Sequence, residues 1–99
     1  MISQIRGKLI EVEDDKVVVD VGGVGYEIEV ASSVLDTLPV DKDQEISLVC
    51  HFVVREDAQL LYGFNSKQER SLFRAYIRIN GVGPRLGLAL LSSLSMNDL

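Results

Sequence analysis

Cysteine and histidine each occur once in the 99 residues, as Cys50 and His51. A single thiol excludes an internal disulfide, and its place in an apolar run points to a buried group. Adjacent residues on a strand face opposite ways, so Cys50 and His51 do not converge on one metal, and no metal site is expected. No apolar run reaches membrane-spanning length. The start, Met1-Ile2-Ser3-Gln4-Ile5-Arg6, lacks the basic residues, apolar block and cleavage site of an export signal, so a cytoplasmic protein without membrane contact is the expectation. Catalytic equipment is equally scarce. There is no Ser-His-Asp or Cys-His arrangement, no cluster of metal ligands and no Gly-Lys-Ser/Thr to complete an ATP loop, so neither catalysis nor a cofactor is expected.

Basic charge is in short supply overall, with a formal net charge of −5, but its distribution is uneven. Residues 1–64 carry five Lys/Arg against thirteen Asp/Glu, a balance of −8. Residues 65–99 carry Lys67, Arg70, Arg74, Arg78 and Arg85 against Glu69 and Asp98, a balance of +3. A basic segment after an acidic one points to two separate jobs. At 46% hydrophobic and 25% charged, the composition is that of a folded protein, and the length suits one domain or one small domain plus part of another.

The first part reads as strands. Ile5 to Val12 alternates in part, Asp14-Asp15 forms a turn, Lys16 to Val21 is β-branched, and Gly22-Gly23 breaks the run. Tyr26, Ile28 and Val30 then alternate onto one face, Ser32 to Pro39 reads as a short helical turn or loop, and further strands span Glu45 to Val54 and Gln59 to Phe64. Five short strands with one brief helical insert fit a closed OB-like barrel better than an open sheet, because closure removes unpaired edges. At Ser66 the period changes. Ser66-Lys67-Gln68-Glu69 is a capping box, opening a helix to about Ile79 with Leu72, Phe73, Tyr76, Ile77 and Ile79 on one side and Lys67, Arg70, Arg74 and Arg78 on the other. The basic face reads either as an ordinary solvated surface or as an anion-binding one. A second helix is expected from Pro84 to about Ser93, and Ser95-Met96-Asn97-Asp98 would open a third.

Between the first two helices lies Ile77-Arg78-Ile79-Asn80-Gly81-Val82-Gly83-Pro84-Arg85-Leu86. The glycines allow sharp turning on either side of an inward Val82, and Pro84 suits a first helical position. The result is a cup of unpaired amides at a helix N-terminus, bracketed by Arg78 and Arg85, where a phosphate would be held. The competing reading is a plain helix–helix turn. The spacing of Gly81, Gly83 and Gly87 is not that of a dinucleotide loop.

These segments carry a resemblance. Ile5-Arg6-Gly7, Gly23-Val24-Gly25-Tyr26-Glu27, Val53-Val54-Arg55-Glu56-Asp57-Ala58, Leu61-Tyr62-Gly63-Phe64 and Asn80-Gly81-Val82-Gly83-Pro84-Arg85, in this order, make essentially all 99 residues resemble the N-terminal part of the RuvA family of Holliday junction branch migration subunits. The resemblance implies an OB-fold barrel domain over 1–64 and, over 65–99, the first helix-hairpin-helix motif of a helical DNA-binding domain left incomplete here. It implies sequence-independent binding of four-way junction DNA by a homotetramer, supporting branch migration by a partner RuvB ATPase motor in recombination and repair, with the RuvC resolvase as a further partner. The motor, not this subunit, would be the enzyme. DNA phosphates would fall to Asn80, Gly81, Val82, Gly83, Arg85 and Arg78. Glu56 and Asp57 match the acidic pin that would keep strands apart at the crossover, a pair otherwise readable as a polar β-turn. Gly87 stands where these hairpins usually carry Ala; glycine allows close helix packing but costs about 1 kcal/mol of helix propensity, which predicts a slightly looser motif. A truncated chain is expected, with the second hairpin and the motor-contact domain outside it. The alternatives are a barrel serving as an oligomerisation or protein-interaction module without DNA binding, and a metal-dependent nuclease.

Overall fold

The computed structural model describes residues 1–39, 41 and 43–97. Its elements are β1 (Gln4–Glu13), β2 (Lys16–Val21), β3 (Val24–Val30), α1 (Ser32–Leu35), β4 (Glu45–Val54), β5 (Gln59–Phe64), α2 (Lys67–Ile77) and α3 (Pro84–Asn97). The strands close into a barrel in the order β1-β2-β3-β5-β4, and β4 returns to β1. Every pairing is antiparallel except β3 with β5, which run parallel through Glu29↔Tyr62 and Val30↔Gly63. This is the OB-fold arrangement.

Strand β1 explains how the barrel closes. Its first half pairs with β4 from Gln4↔Val49 to Lys8↔Glu45, and its second half pairs with β2 from Lys8↔Asp20 to Glu13↔Lys16. A register shift between Leu9 and Glu11 leaves Ile10 as an extra residue. Such a bulge bends a strand and increases its twist, which lets one strand serve two neighbours, and it accounts for the imperfect alternation of this segment in the sequence. At the β2–β3 turn Gly22 and Gly23 have φ of +60° and +95°, a left-handed pair suited to a two-residue hairpin, and Asp20 Oδ1 accepts from the Gly23 amide at 2.8 Å.

The barrel interior is filled by Ile5, Leu9, Val17, Val19, Ile28, Val30, Leu48, Cys50 and Leu61, with Val34 of α1 closing it. Alternation holds in β2, in β3 and in β4 as far as Cys50. In β5 it fails, because Leu61 through Phe64 are all buried. Leu61 belongs to the barrel core, whereas Tyr62 and Phe64 belong to a second cluster with Ala31, Phe73, Leu88 and Leu91. The helices cover the outer face of this strand, so both of its faces are apolar.

Helix α2 begins as the capping box requires. Ser66 Oγ accepts from the Glu69 amide at 3.1 Å, and Glu69 Oε1 accepts from the amide of Asn65, one residue earlier than the capping residue, at 2.8 Å. It ends at Ile77, two residues short of the expected Ile79. Arg78 N and Ile79 N donate to Ala75 O and Tyr76 O, three residues back, so the last turn tightens before Gly81 reverses the chain. Helix α3 does start at Pro84, but it continues to Asn97 without a break. The third helix expected at Ser95 is therefore part of α3. Serines do not by themselves end a helix, and no Gly or Pro interrupts residues 88–97. Asp98 lies outside the described residues. Among the described residues no helix is long and apolar enough to cross a membrane.

At Gly87 the helices use the close packing that a missing side chain allows. Gly87 is buried, and a Cβ there would come within 3.2 Å of both the Phe73 ring and an Ile77 methyl. The missing side chain lets α3 approach α2 closely around Phe73, which is itself fully buried. Truncation of Phe73 to Ala should therefore lower the unfolding free energy by about 3–5 kcal/mol, read as a drop in the urea midpoint at unchanged slope. A loss below about 1 kcal/mol would show that the second cluster does not hold the helices to the barrel.

Candidate nucleic-acid interface

The segment between α2 and α3 forms a short reversal. Gly81 takes φ +87°, and the Val82 amide donates to Ile79 O at 3.0 Å, so the turn is closed by its own backbone. Val82 is half-buried, in keeping with an inward anchor, but its amide is not among the free donors expected there. Gly83 caps α3, since its carbonyl accepts from the Gly87 amide at 2.9 Å. The amides of Gly83, Arg85 and Leu86 then have no intrahelical acceptor, and Pro84 has no amide to leave unpaired. Leu86 thus joins the donor set, a residue that sequence reasoning misses because its side chain is apolar and the local signal lies in glycine and arginine. Arg78, Asn80, Gly81, Gly83 and Arg85 are all exposed. A helix start with unpaired amides between two exposed guanidiniums is suited to an anion.

Glu56 and Asp57 occupy the tip of the β4–β5 hairpin. Val54 pairs with Gln59, and the Arg55 amide donates to Ala58 O at 2.8 Å, which leaves the two acids as the projecting residues. Both are exposed. Helix α2 runs alongside β4 in the same direction, with Arg70 bonded at Cys50 and Arg74 at His51, while Val53, Leu60, Tyr76 and Ile77 pack around the second cluster. The glycine reversal therefore lies toward the end of the barrel that carries the acidic tip. Between these elements, burial raises the Tyr62 phenol above its usual value and the Glu29 carboxylate adds to this, while the positive charges of Arg55 and Arg85 oppose it.

The basic face of α2 is divided differently from the expectation. Lys67 and Arg78 are exposed, but Arg70 and Arg74 are half-buried against the barrel. Arg70 Nη1 donates to Ser3 O at 3.0 Å and to Cys50 O at 3.2 Å, and Arg74 Nε donates to His51 Nδ1 at 3.0 Å. Helical spacing alone puts these residues on one arc with Lys67 and Arg78. It does not reveal that strand carbonyls and an imidazole lie beside part of that arc. Cys50 and His51 diverge as strand neighbours do: the thiol sits in the barrel core, pushed up to about 11 by burial, and the imidazole faces α2.

Residues 1–63 match the family model described as the RuvA N terminal domain. The chain belongs to the RuvA family. Among curated relatives, the "Holliday junction branch migration complex subunit RuvA" of Shewanella halifaxensis is 57% identical over 98 residues, covering 99% of this chain and 47% of the relative. The protein of the same name from Tolumonas auensis is 50% identical over 98 residues with the same coverage, and that of Aeromonas salmonicida is 53% identical over 95 residues, covering 96% of this chain and 46% of the relative. The chain spans about half the length of the curated RuvA relatives it matches.

Two outcomes test this geometry. Gly81→Ala should cost about 1–2 kcal/mol in urea denaturation, because nothing crowds a Cβ there but the backbone is left-handed. An unchanged midpoint would mean that the turn does not need this conformation. The second concerns His51, whose pKa is held below 6.5 by burial and then by Arg74 and Arg70. Below 6.5 the unfolded chain takes up a proton that the folded one resists, so stability is complete above that value and falls as pH drops toward the lowered folded pKa. Urea midpoints between about pH 7.5 and 5.5 should fall more steeply for the wild type than for His51→Gln, and parallel curves would refute the assignment.

Proposed function

We infer that this chain binds four-way junction DNA by its shape and without regard to sequence, as the first part of a RuvA-type subunit. The observation that carries the reading is the reversal between α2 and α3, where the amides of the exposed residues Gly83, Arg85 and Leu86 lack an intrahelical acceptor next to exposed Arg78 and Arg85. Asn80, Gly81 and Gly83 hold the backbone for a phosphate, with Val82 as the anchor of the turn. Arg78 and Arg85 add charge. None of these groups reads a base edge, so affinity comes from phosphate contacts and counterion release.

Glu56 and Asp57 act as an acidic pin. Carboxylates at the tip of a hairpin repel phosphates and disfavour a continuous duplex across them, while a junction offers an open centre. The division of labour follows the charge: a barrel over 1–64 with balance −8, and a first helix-hairpin-helix over 65–99 with balance +3. Assembly into a homotetramer would place four such pins together. The exposed Val12, Val21 and Val24 of the barrel are the kind of apolar surface that subunit contacts cover. In this reading the subunit is not an enzyme, works in the cytoplasm, and positions junction DNA for a RuvB-type ATPase motor and a RuvC-type resolvase. The name of the relatives, a subunit of a Holliday junction branch migration complex, supports the junction-binding part of this reading.

Competition binding between a synthetic four-way junction and linear duplex of matched arm sequence tests it. The expected result is preference for the junction, with log affinity falling against log salt at about −0.9 per phosphate engaged. Combined Glu56→Ala and Asp57→Ala should raise duplex affinity and reduce the preference. A salt slope near zero or an unchanged selectivity would each count against the reading.

A further inference from the structure

Among the described residues, three hydrogen bonds seat α2 on the barrel, and two arginines supply them: Arg70 to Ser3 O and Cys50 O, and Arg74 to His51 Nδ1. The apolar part of the seat, Phe73 against Tyr62 and Phe64, resists separation but is non-directional. Hydrogen bonds are directional, so they set how far α2 sits along β4. The polar seat has little in reserve. Arg70 Nε is buried with no partner among the described residues.

Position along β4 matters because each of the two elements ends at a segment of the DNA-binding surface. Strand β4 leads to the Glu56-Asp57 tip, and α2 leads to the glycine reversal. His51 and Arg74 join these two elements directly. Their bond exists only while His51 Nδ1 has a lone pair, that is, for the neutral imidazole protonated at Nε2. A proton on Nδ1 turns the acceptor into a donor aimed at a donor, and it places a positive charge beside two guanidiniums.

The other groups facing the ring do not offset that charge. Tyr62 of β5 is an un-ionised phenol held above its usual value, Phe73 of α2 presents an aromatic edge, and the charged groups acting on His51 are Arg74 and Arg70. The adjacent Cys50 side chain is turned into the barrel core. His51 is also the sole histidine of the chain, so acidification between neutral pH and the carboxylate range acts on this contact above all.

We propose that the His51–Arg74 contact is a pH-sensitive joint that sets the position of the glycine reversal relative to the acidic tip, and with it the preference for branched over linear duplex. His51 and Arg74 are positioning residues and touch no DNA. The preference for branched DNA rests on the function inferred above, and the joint itself does not.

The test therefore has two arms. Nitroxide labels at Gln59→Cys, next to the acidic tip, and Ala75→Cys, on the exposed side of α2, report the offset by electron–electron distance measurement, while the buried native thiol stays unlabelled. The wild type should give one narrow distance distribution at about pH 7.5 and a broadened or shifted one at about pH 5.5. His51→Gln, whose amide oxygen accepts from Arg74 without titrating, should stay narrow at both. An identical wild-type distribution at the two pH values overturns the joint. In the binding arm, the junction-to-duplex affinity ratio should fall at least about fivefold between the same pH values in the wild type and stay within about twofold in His51→Gln. An equal fall in both proteins overturns the link to selectivity. Absence of any junction preference in the wild type at neutral pH instead overturns the function on which that link rests, and the distance arm still decides the joint.

Discussion

The Phe73 ring sits between the barrel and α3, with its centroid 5.3 Å from that of Tyr62 and 5.0 Å from that of Phe64, and with Gly87 against its edge. The apolar docking of α2 and α3 rests on this insertion. Tyr62 and Phe64 stand on the outer face of β5 because Leu61 and Gly63 occupy the inner one, where a Cβ at Gly63 would meet Ile28 at 2.8 Å. The barrel interior thus decides which aromatic rings are offered to the helices. Closure through the parallel β3–β5 pair holds that surface in place, and α3 completes the cover by burying Leu88 and Leu91 near Ala31.

Polar contacts refine what the aromatic cluster holds. Three cations that look alike in sequence have different surroundings in the fold: Arg70 of α2 on two carbonyls, Arg74 of α2 on an imidazole, and Arg78, just past the end of α2, exposed beside the reversal. Half-buried charges of this kind are retained when hydrogen bonds compensate their loss of water. The count of basic residues therefore overstates the charge available to a phosphate. Arg78, Arg85 and Lys67 remain exposed.

Much of the architecture is legible in residue order because the local signals agree. The bounds of β4 and β5, the Gly22-Gly23 turn, the Ser66 cap and Pro84 as the first residue of α3 all follow from rules that act over a few positions. The failures share a different cause. The docking of Arg70 and Arg74 and the double burial of β5 depend on partners distant in sequence, which periodicity does not encode. The Val82 amide is a local miss: two glycines announce a turn but not which carbonyl closes it. The uninterrupted α3 shows the weakness of serine as a stop signal. At the acidic tip the residue order reveals a turn, and the pairing of Arg55 with Ala58 explains why Glu56 and Asp57 are the ones that project.

The bond from Arg70 to the carbonyl of Ser3 joins residues 67 positions apart. Ser3 stands next to β1, which pairs at Gln4 with Val49. The hairpin of that strand with β2 is local in sequence, whereas its pairing with β4 is not. The first half of β1 then waits for closure, and the Ser3 carbonyl waits longer still for α2. Non-local pairings are slow, whereas a single helix forms within about a microsecond once its docking surface exists. The order of events is thus built into the connectivity: hairpins early, closure late, and the helices landing last on a surface that only the finished barrel provides.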